Sequence, residues 1–212
     1  MKYLLYQNTL LGKKPIGISN GNFWIKECSS KEADEVIKKY HYSHKTTKNR
    51  FLSFSVNDGK GYLQLGYGIR PHMKHTIHPQ ITKDNYCEFD RMWLDDELPK
   101  NSESQVISLL LSYLKQTTEK KFVITYADES AGNKGTIYKA TNAIILGSVP
   151  CDFYILLTGE RVHPVSMYHR HKTRAKDFLE KQYPGIKHIK NTARQFRFLY
   201  ILDKKMKKLS TY

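Results

Sequence analysis

The chain has 212 residues, enough for one domain with a proper core or for a domain with an appendage. A hydrophobic share of 40% and an aromatic share of 12% argue against disorder, while 35 Lys+Arg against 20 Asp+Glu leave a formal charge of +15. Such an excess concentrates polyanions and speeds their encounter, so nucleic acid or another anionic surface is the expected partner. Cys28, Cys87 and Cys151 stand far apart with no C-x-x-C pair, which argues against a disulfide framework and fits a reducing compartment. The opening Met1-Lys-Tyr-Leu-Leu-Tyr6 is too short and soon too polar for a signal peptide. No apolar run approaches the roughly 18 to 20 residues that a membrane span needs. The expectation is a soluble, cytoplasmic protein with no membrane partner.

Taken in order, residues 23–26 read as a short strand and residues 31–40 as a helix that runs into Tyr40-His-Tyr-Ser-His44. Residues 51–56 alternate as a strand, Asn57-Asp-Gly-Lys60 signals a hairpin, and residues 61–69 pair back. A polar loop with His72, His75 and His78 follows. Residues 86–94 form an apolar-laced strand that enters the polar turn 95–104, and a helix spans residues 105–116. A second strand, 122–127, ends in Asp128-Glu-Ser130, and a second helix around 137–146 stops at Gly147. Residues 151–157 read as an apolar strand, residues 165–182 as a helix after Pro164, and residues 196–202 as a final strand. This order predicts an α/β domain with a mixed sheet, without the strict alternation of a doubly wound fold.

Charge is unevenly placed. Residues 161–212 hold 14 Lys+Arg and 3 Asp+Glu, so +11 of the +15 sits in the last quarter. His163, His169, His171 and His188 lie there too, with Tyr168, Tyr183, Phe196, Phe198 and Tyr200 between the charges. Basic residues interleaved with aromatics suit a surface that neutralises phosphates and stacks bases. Arg170, Lys172 and Arg174 are the candidate phosphate contacts.

The turn Pro99-Lys-Asn-Ser-Glu-Ser104 precedes a helix whose first backbone N–H groups and positive dipole end attract phosphate. Lys100 adds a counter-charge, and Asn101, Ser102 and Ser104 add donors; ordinary capping by Asn101 or Ser102 accounts for the same residues. A strand ending in Met92-Trp-Leu94 that feeds such a turn resembles the cofactor centre of the GNAT acyltransferase superfamily. That resemblance implies a fold with central splayed strands and flanking helices, and acetyl-CoA or a related acyl-CoA held by Met92, Trp93, Leu94, Lys100, Asn101, Ser102 and Ser104. The glycines usual in the turn are missing, as is the tyrosine before Gly147, where Ala143 stands in its slot.

Six motifs resemble those of a narrower family, the Mom-type phage DNA-modification proteins. They are Tyr40-His-Tyr-Ser-His44, Glu88-Phe-Asp-Arg91, Asn101-Ser-Glu-Ser104, Ala127-Asp-Glu-Ser130, residues 135–142 and residues 161–166. The resemblance implies a diverged GNAT-fold transferase acting on the exocyclic amine of adenine in phage DNA. The product implied is a carbamoylmethyl derivative that blocks restriction. It carries over Arg91, Ser104, Asp128 and Tyr138 as catalytic positions, double-stranded DNA as substrate and the host cytoplasm as location.

Asp128, at a strand's C-terminal end, can accept a proton from an amine or simply cap the following turn. Tyr138 can give a proton to a leaving group, stack on a base, or belong to the core. Arg91, two positions after Phe89, is expected on that residue's face, either paired with Glu88 or Asp90 or holding a carboxylate or phosphate. Tyr40, His41, Tyr42, Ser43 and Ser130 are candidates for the base itself, and a hydrophobic corner explains the aromatics equally well. The loop histidines lack partners at an established ligand spacing, so no metal is assigned. The expected organisation is one GNAT-like domain, 1–212, with residues 161–212 as its nucleic-acid-binding part. An N-acetyltransferase for a protein, tRNA or small amine remains an alternative, as does a silent nucleic-acid-binding relative.

Overall fold

The computed structural model describes residues 1–68 and 77–207. His72 and His75 lie outside the described residues. The chain divides into two compact units: Met1–Tyr126, Gly135–Leu146 and Arg197–Tyr212 form the first, and Ala127–Lys134 with Gly147–Phe196 the second.

The first unit is built on strands β1 (Tyr3–Thr9), β2 (Gly12–Ser19), β3 (Trp24–Glu27), β4 (Arg50–Val56), β5 (Gly61–Gly66), β6 (Tyr86–Leu94) and β7 (Phe122–Asp128). They lie side by side in chain order, antiparallel from β1 to β6 and parallel between β6 and β7. A parallel pair needs a crossover, which α2 (Ser102–Thr117) supplies. The Arg197–Ile201 end of β10 (Lys187–Ile201) completes this unit's sheet beside β7.

Register decides which residues meet which helix. Tyr62 pairs with Ser55 and Leu63 with Phe54, so Tyr62 and Phe54 face opposite ways. Phe54 meets Tyr113 of α2 edge to face at 5.1 Å, alongside buried Val106, Leu109, Leu110 and Leu114 of that helix. Tyr62 lies under Ala33 and Ile37 of α1 (Ser30–Tyr40), with Cys28, Val36 and Trp93 around them. Ser29 caps α1 by accepting from the Glu32 N–H at 3.1 Å. Each fully buried Leu or Ile contributes about 2 kcal/mol, which holds both helices on the sheet. Ile81, Tyr86, Phe122, Ile124, Leu199 and Ile201 close the core beyond β6.

Two sequence expectations are corrected. The helix predicted around 137–146 is the short α3 (Thr136–Ala140), and Ile144 already begins β8 (Ile144–Ile155). The Thr141 hydroxyl bonds back to the Ile137 carbonyl at 2.8 Å, and Asn142 turns left-handed with φ 63°, so the helix closes before the β-branched pair Ile144-Ile145.

In the second unit, the single helix expected over 165–182 is two, α4 (Pro164–His171) and α5 (Lys176–Gln182). They are broken where Lys172 takes φ 59° and the Thr173 hydroxyl accepts the Ala175 N–H. β8 pairs there with β9 (Arg161–Val162), and Tyr154, Leu156, Val162, Met167 and Leu179 form the unit's core. The chain's last described element, α6 (Lys204–Lys207), belongs to the first unit. Among the described residues no helix is long and apolar enough to cross a membrane.

Candidate functional site

β6 and β7 stay in register from Tyr86↔Phe122 to Phe89↔Thr125, and there their pairing ends while β6 runs on to Leu94. Met92, Trp93 and Leu94 still pair with β5, at Leu63, Tyr62 and Gly61, so β6 is held on one side and parts from β7 on the other. The departure follows a bulge: Gln64 pairs with Arg91 and Leu65 with Phe89, leaving Asp90 as the extra residue. This places Arg91 on the face opposite Phe89, which corrects the simple two-residue alternation. Splayed strands at this point are the feature that the sequence resemblance implied.

The turn that follows β6 ends at Asn101, in the left-handed region at φ 68°, ψ 16°, with no capping bond from its side chain. Asn tolerates this conformation better than other residues with a Cβ, which explains how the turn forms without its usual glycine. The Ser102 hydroxyl donates to the Pro99 carbonyl, and the Ser104 hydroxyl to the Asn101 carbonyl at 2.9 Å. Both serines therefore tie the turn to itself rather than capping N–H groups. The helix beyond is 16 residues long, and exposed Lys100 stands before it.

An acyl-CoA fits these residues: the N-terminus of α2 with Lys100 suits a pyrophosphate, and the parted edge of β6 at Met92–Leu94 suits an amide-bearing arm.

On the α1 side of the sheet, Arg91 donates from Nε to the Lys45 carbonyl at 2.9 Å and from Nη1 to the Asp90 carbonyl at 2.7 Å. The half-buried carboxylate of Asp34 accepts from Gln64 at 2.8 Å and pairs with Arg50, which fastens α1 over this part of the sheet. Asp90 accepts from the Thr47 hydroxyl at 2.9 Å, and burial raises its pKa against that bond and the Arg91 charge.

At the exit of α1, Tyr40 stacks on Trp93 with ring centroids 4.9 Å apart, and His41 lies 4.2 Å from Tyr42. Nδ1 of buried His41 accepts the Ser43 N–H at 3.1 Å, and the Ser43 hydroxyl lies 2.9 Å from it. Burial, then the charges of Arg91 and His44, push His41 down to about 4, so its imidazole is neutral at physiological pH. Tyr40 and Tyr42 are about half exposed, and Nζ of Lys39 lies over the Tyr40 ring at 4.7 Å.

Tyr138 sits on α3, buried, its ring 5.2 Å from Phe198 and edge to face with Phe89 at 6.5 Å. Burial raises its pKa despite a hydrogen bond with Thr125 and the charge of Arg91, which keeps the phenol protonated. Gly135 enters α3 at φ 72°, and a Cβ there would lie 2.2 Å from Cζ of Phe198. Only glycine seats Tyr138 in this way.

In the second unit, Asp128 ends β7 and its Oδ1 accepts from the Ser130 N–H at 2.8 Å, the Ser130 hydroxyl at 2.5 Å and the Cys151 thiol at 3.5 Å. Burial first, then Asp128, pushes Cys151 up to about 11, so it is a thiol that donates, not a thiolate that attacks. Arg170 is taken up by Glu160 at 2.8 Å, whereas Lys172 and Arg174 are exposed on the segment between α4 and α5.

The structure thus brings together Arg91, Trp93, Tyr40, His41, Tyr42, Ser43 and Tyr138 in the first unit, and Asp128 with Ser130 in the second. Sequence reading missed Asp90, Thr125 and Cys151. Asp90 had a signal in principle, since β6 holds one more residue than its partner can pair; Thr125 and Cys151 had none. Among the described residues no cluster of metal-ligating side chains occurs.

A model of the Mom protein family matches residues 22–212. The methylcarbamoylase Mom of Escherichia phage Mu is 32% identical over 160 residues, which are 74% of this chain and 63% of that protein. The chain therefore spans less than two thirds of the length of this curated relative. Among solved structures, the ribosomal-protein-S5-alanine acetyltransferase from Vibrio fischeri superposes with a TM-score of 0.52 at 7% identity, covering 89% of this chain and 98% of its own. Arabidopsis thaliana NAA60 in complex with acetyl-CoA gives 0.51 at 7% identity, over 84% and 98%. Identities this low establish the fold alone, and it is that of GNAT acetyltransferases. With residues 22–212 matched, the chain belongs to the Mom protein family.

Proposed function

We propose that the protein is a transferase that modifies the exocyclic amine of adenine in DNA, using an acyl-CoA-type donor held in its first unit. The observation that carries this reading is the parting of β6 from β7 beside the open N-terminus of α2, in a chain of the Mom family. An acyl-CoA would supply a thioester carbonyl, so transfer alone forms the N6–C bond, breaks the C–S bond to CoA and gives an N6-acyladenine; the CH2-linked carbamoylmethyl group requires chemistry beyond this transfer. Lys100 and the N–H groups of α2 just beyond Ser102 would hold its phosphates, and residues 92–94 would align its arm.

The amine of adenine is a poor nucleophile because its lone pair is delocalised into the ring. The base must be turned out of the duplex, held, and relieved of a proton as the new bond to nitrogen forms. The half-exposed rings of Tyr40 and Tyr42 suit the holding. The motif resemblance gives the proton to Asp128; within the second unit its Oδ1 accepts from Ser130 and Cys151, which fixes the carboxylate. Tyr138, kept protonated by burial, donates to the departing group. Lys172 and Arg174 contact duplex phosphates; Arg170 contributes less, being engaged by Glu160.

Two measurements test the reading. DNA from cells expressing the protein is digested and its nucleosides weighed by mass spectrometry; a modified deoxyadenosine is expected, and four unmodified nucleosides from cells containing folded protein refute it. Asp128→Asn separates proton acceptance from turn capping, because an amide oxygen still accepts the Ser130 N–H. Loss of modification by about 100-fold or more with unchanged melting temperature is expected. Equal loss of stability and activity would reduce Asp128 to a cap.

A further inference from the structure

Residues 1–21 precede the segment matched by the family, and no role assigned above uses them. They form the β1–β2 hairpin, whose inner end joins the sheet only where Gly17, Ile18 and Ser19 pair with β3. The Pro15 carbonyl still accepts the Tyr113 hydroxyl at 3.1 Å, and beyond it runs a two-stranded ribbon paired Gln7↔Lys14, Asn8↔Lys13 and Thr9↔Gly12. Residues 6–14 are all exposed, and at about 3.4 Å per residue the ribbon extends roughly 15 Å.

At its tip stand Leu10 and Leu11, both fully exposed. The positive backbone angle of the turn is taken by Gly12, at φ 111°, so the two leucines need not be there for the turn and they serve no core. The charge is one-sided: Lys2, Lys13 and Lys14 occur with no acidic residue before Glu27. Lys14 does reach Glu27, at 3.4 Å, while Lys2 bonds only to Ser108 and Ser112. Tyr3 and Tyr6 are exposed alongside.

We infer that this ribbon is an arm for duplex DNA, with its strands in a groove, Lys13 and Lys14 on phosphates and Leu10-Leu11 pressed against a base step as a wedge. A two-stranded ribbon fits the width of the major groove, and apolar side chains set against base steps unstack them, which lowers the cost of extruding a nucleotide. A second copy of the chain is the poorer occupant, because symmetric ribbons would set lysine against lysine. The inference rests on the DNA reading above and assigns to the hairpin the work of opening the stack.

Leu10→Asn with Leu11→Gly removes the wedge while giving the tip its preferred turn, so the hairpin stays folded. A second variant carries Lys13→Gln and Lys14→Gln. Duplex binding is read by fluorescence anisotropy across a salt series, and unstacking by 2-aminopurine emission within the duplex. The tip variant is expected to bind about tenfold more weakly with an unchanged salt slope and to lose the emission increase. The lysine variant should lower the slope by about 2. Wild-type affinity, slope and emission in both variants would overturn the arm while leaving the proposed function standing. So would a tip variant that alters only sedimentation, because the ribbon would then join copies of the chain. A wild-type protein with no affinity for duplex would remove both readings together.

Discussion

Helices α2 and α3 are both entered from a residue in the left-handed region, Asn101 at φ 68° and Gly135 at φ 72°, and neither has a side-chain cap. The residues differ because their surroundings differ. Asn101 is exposed, with Lys100 beside it and the two neighbouring serines folded onto the turn's own carbonyls. Gly135 is pressed against the ring of Phe198, where a Cβ has no room. The first helix end is kept open and can receive an anion; the second is packed shut and fixes a phenol between Phe89 and Phe198. The same backbone device leaves a helix end open in one place and positions a side chain in the other.

The most damaging way to break the closed end is Gly135→Ala. It combines left-handed strain with a clash against Phe198, and a loss of about 3 kcal/mol or more is expected by urea unfolding. If the variant unfolds like the wild type, Phe198 yields freely and Tyr138 is not held as argued.

Tyr138→Phe tests the phenol that this packing presents. The ring and its contacts remain, so stability should fall by only about 1 kcal/mol, for the bond lost at buried Thr125. Modification should slow by roughly 10- to 100-fold if Tyr138 is the proton donor. An unchanged rate would return Tyr138 to the core.

The open end is probed by two substitutions at Asn101 that pull apart. Glycine accepts the left-handed angles at no steric cost and should preserve both fold and acyl-CoA affinity. Valine should cost about 1 to 2 kcal/mol and weaken acetyl-CoA, measured as a smaller thermal shift at millimolar ligand. Equal shifts for the two variants would mean that the α2 entry does not hold the donor.

Strands β3 to β7 and helix α1 were legible because each carries a clean apolar period ended by strong turn signals, such as Asn57-Asp-Gly-Lys60. The bulge at Asp90 was not, because alternation counts residues without knowing that the partner strand is one short. The early end of α3 and the break between α4 and α5 depend on left-handed Asn142 and Lys172, side chains that give little warning of that angle. At the site, Arg91 and Tyr138 were nameable from their motifs, while their environment was not: that Arg91 bonds to two carbonyls and Tyr138 is sealed by Phe198 comes from tertiary packing. The β1–β2 hairpin went unread because its only strong turn residue, Gly12, follows two leucines that read as part of an apolar run.

A third helix end sharpens the contrast and gives the smallest effect. At the exit of α1, the His41 N–H bonds to the Ile37 carbonyl at 3.1 Å, while its imidazole is buried and accepts from Ser43. Burial penalises the charged imidazolium, and the charges of Arg91 and His44 add to this, so the pKa lies near 4 rather than at its ordinary 6.5. The unfolded chain therefore binds the proton more readily than the folded one. The stabilisation is complete above about pH 6.5 and is lost as pH falls toward 4, by about 2 kcal/mol once solvent screening is allowed for. His41→Gln keeps an acceptor that does not titrate and should flatten this part of the stability profile between pH 7 and 4.5. Burial raises the pKa of Asp90, which acts in the opposite sense, so the difference between wild type and variant is the quantity to follow. Parallel profiles would show that water reaches His41 and that the α1 exit, like the α2 entry, is open.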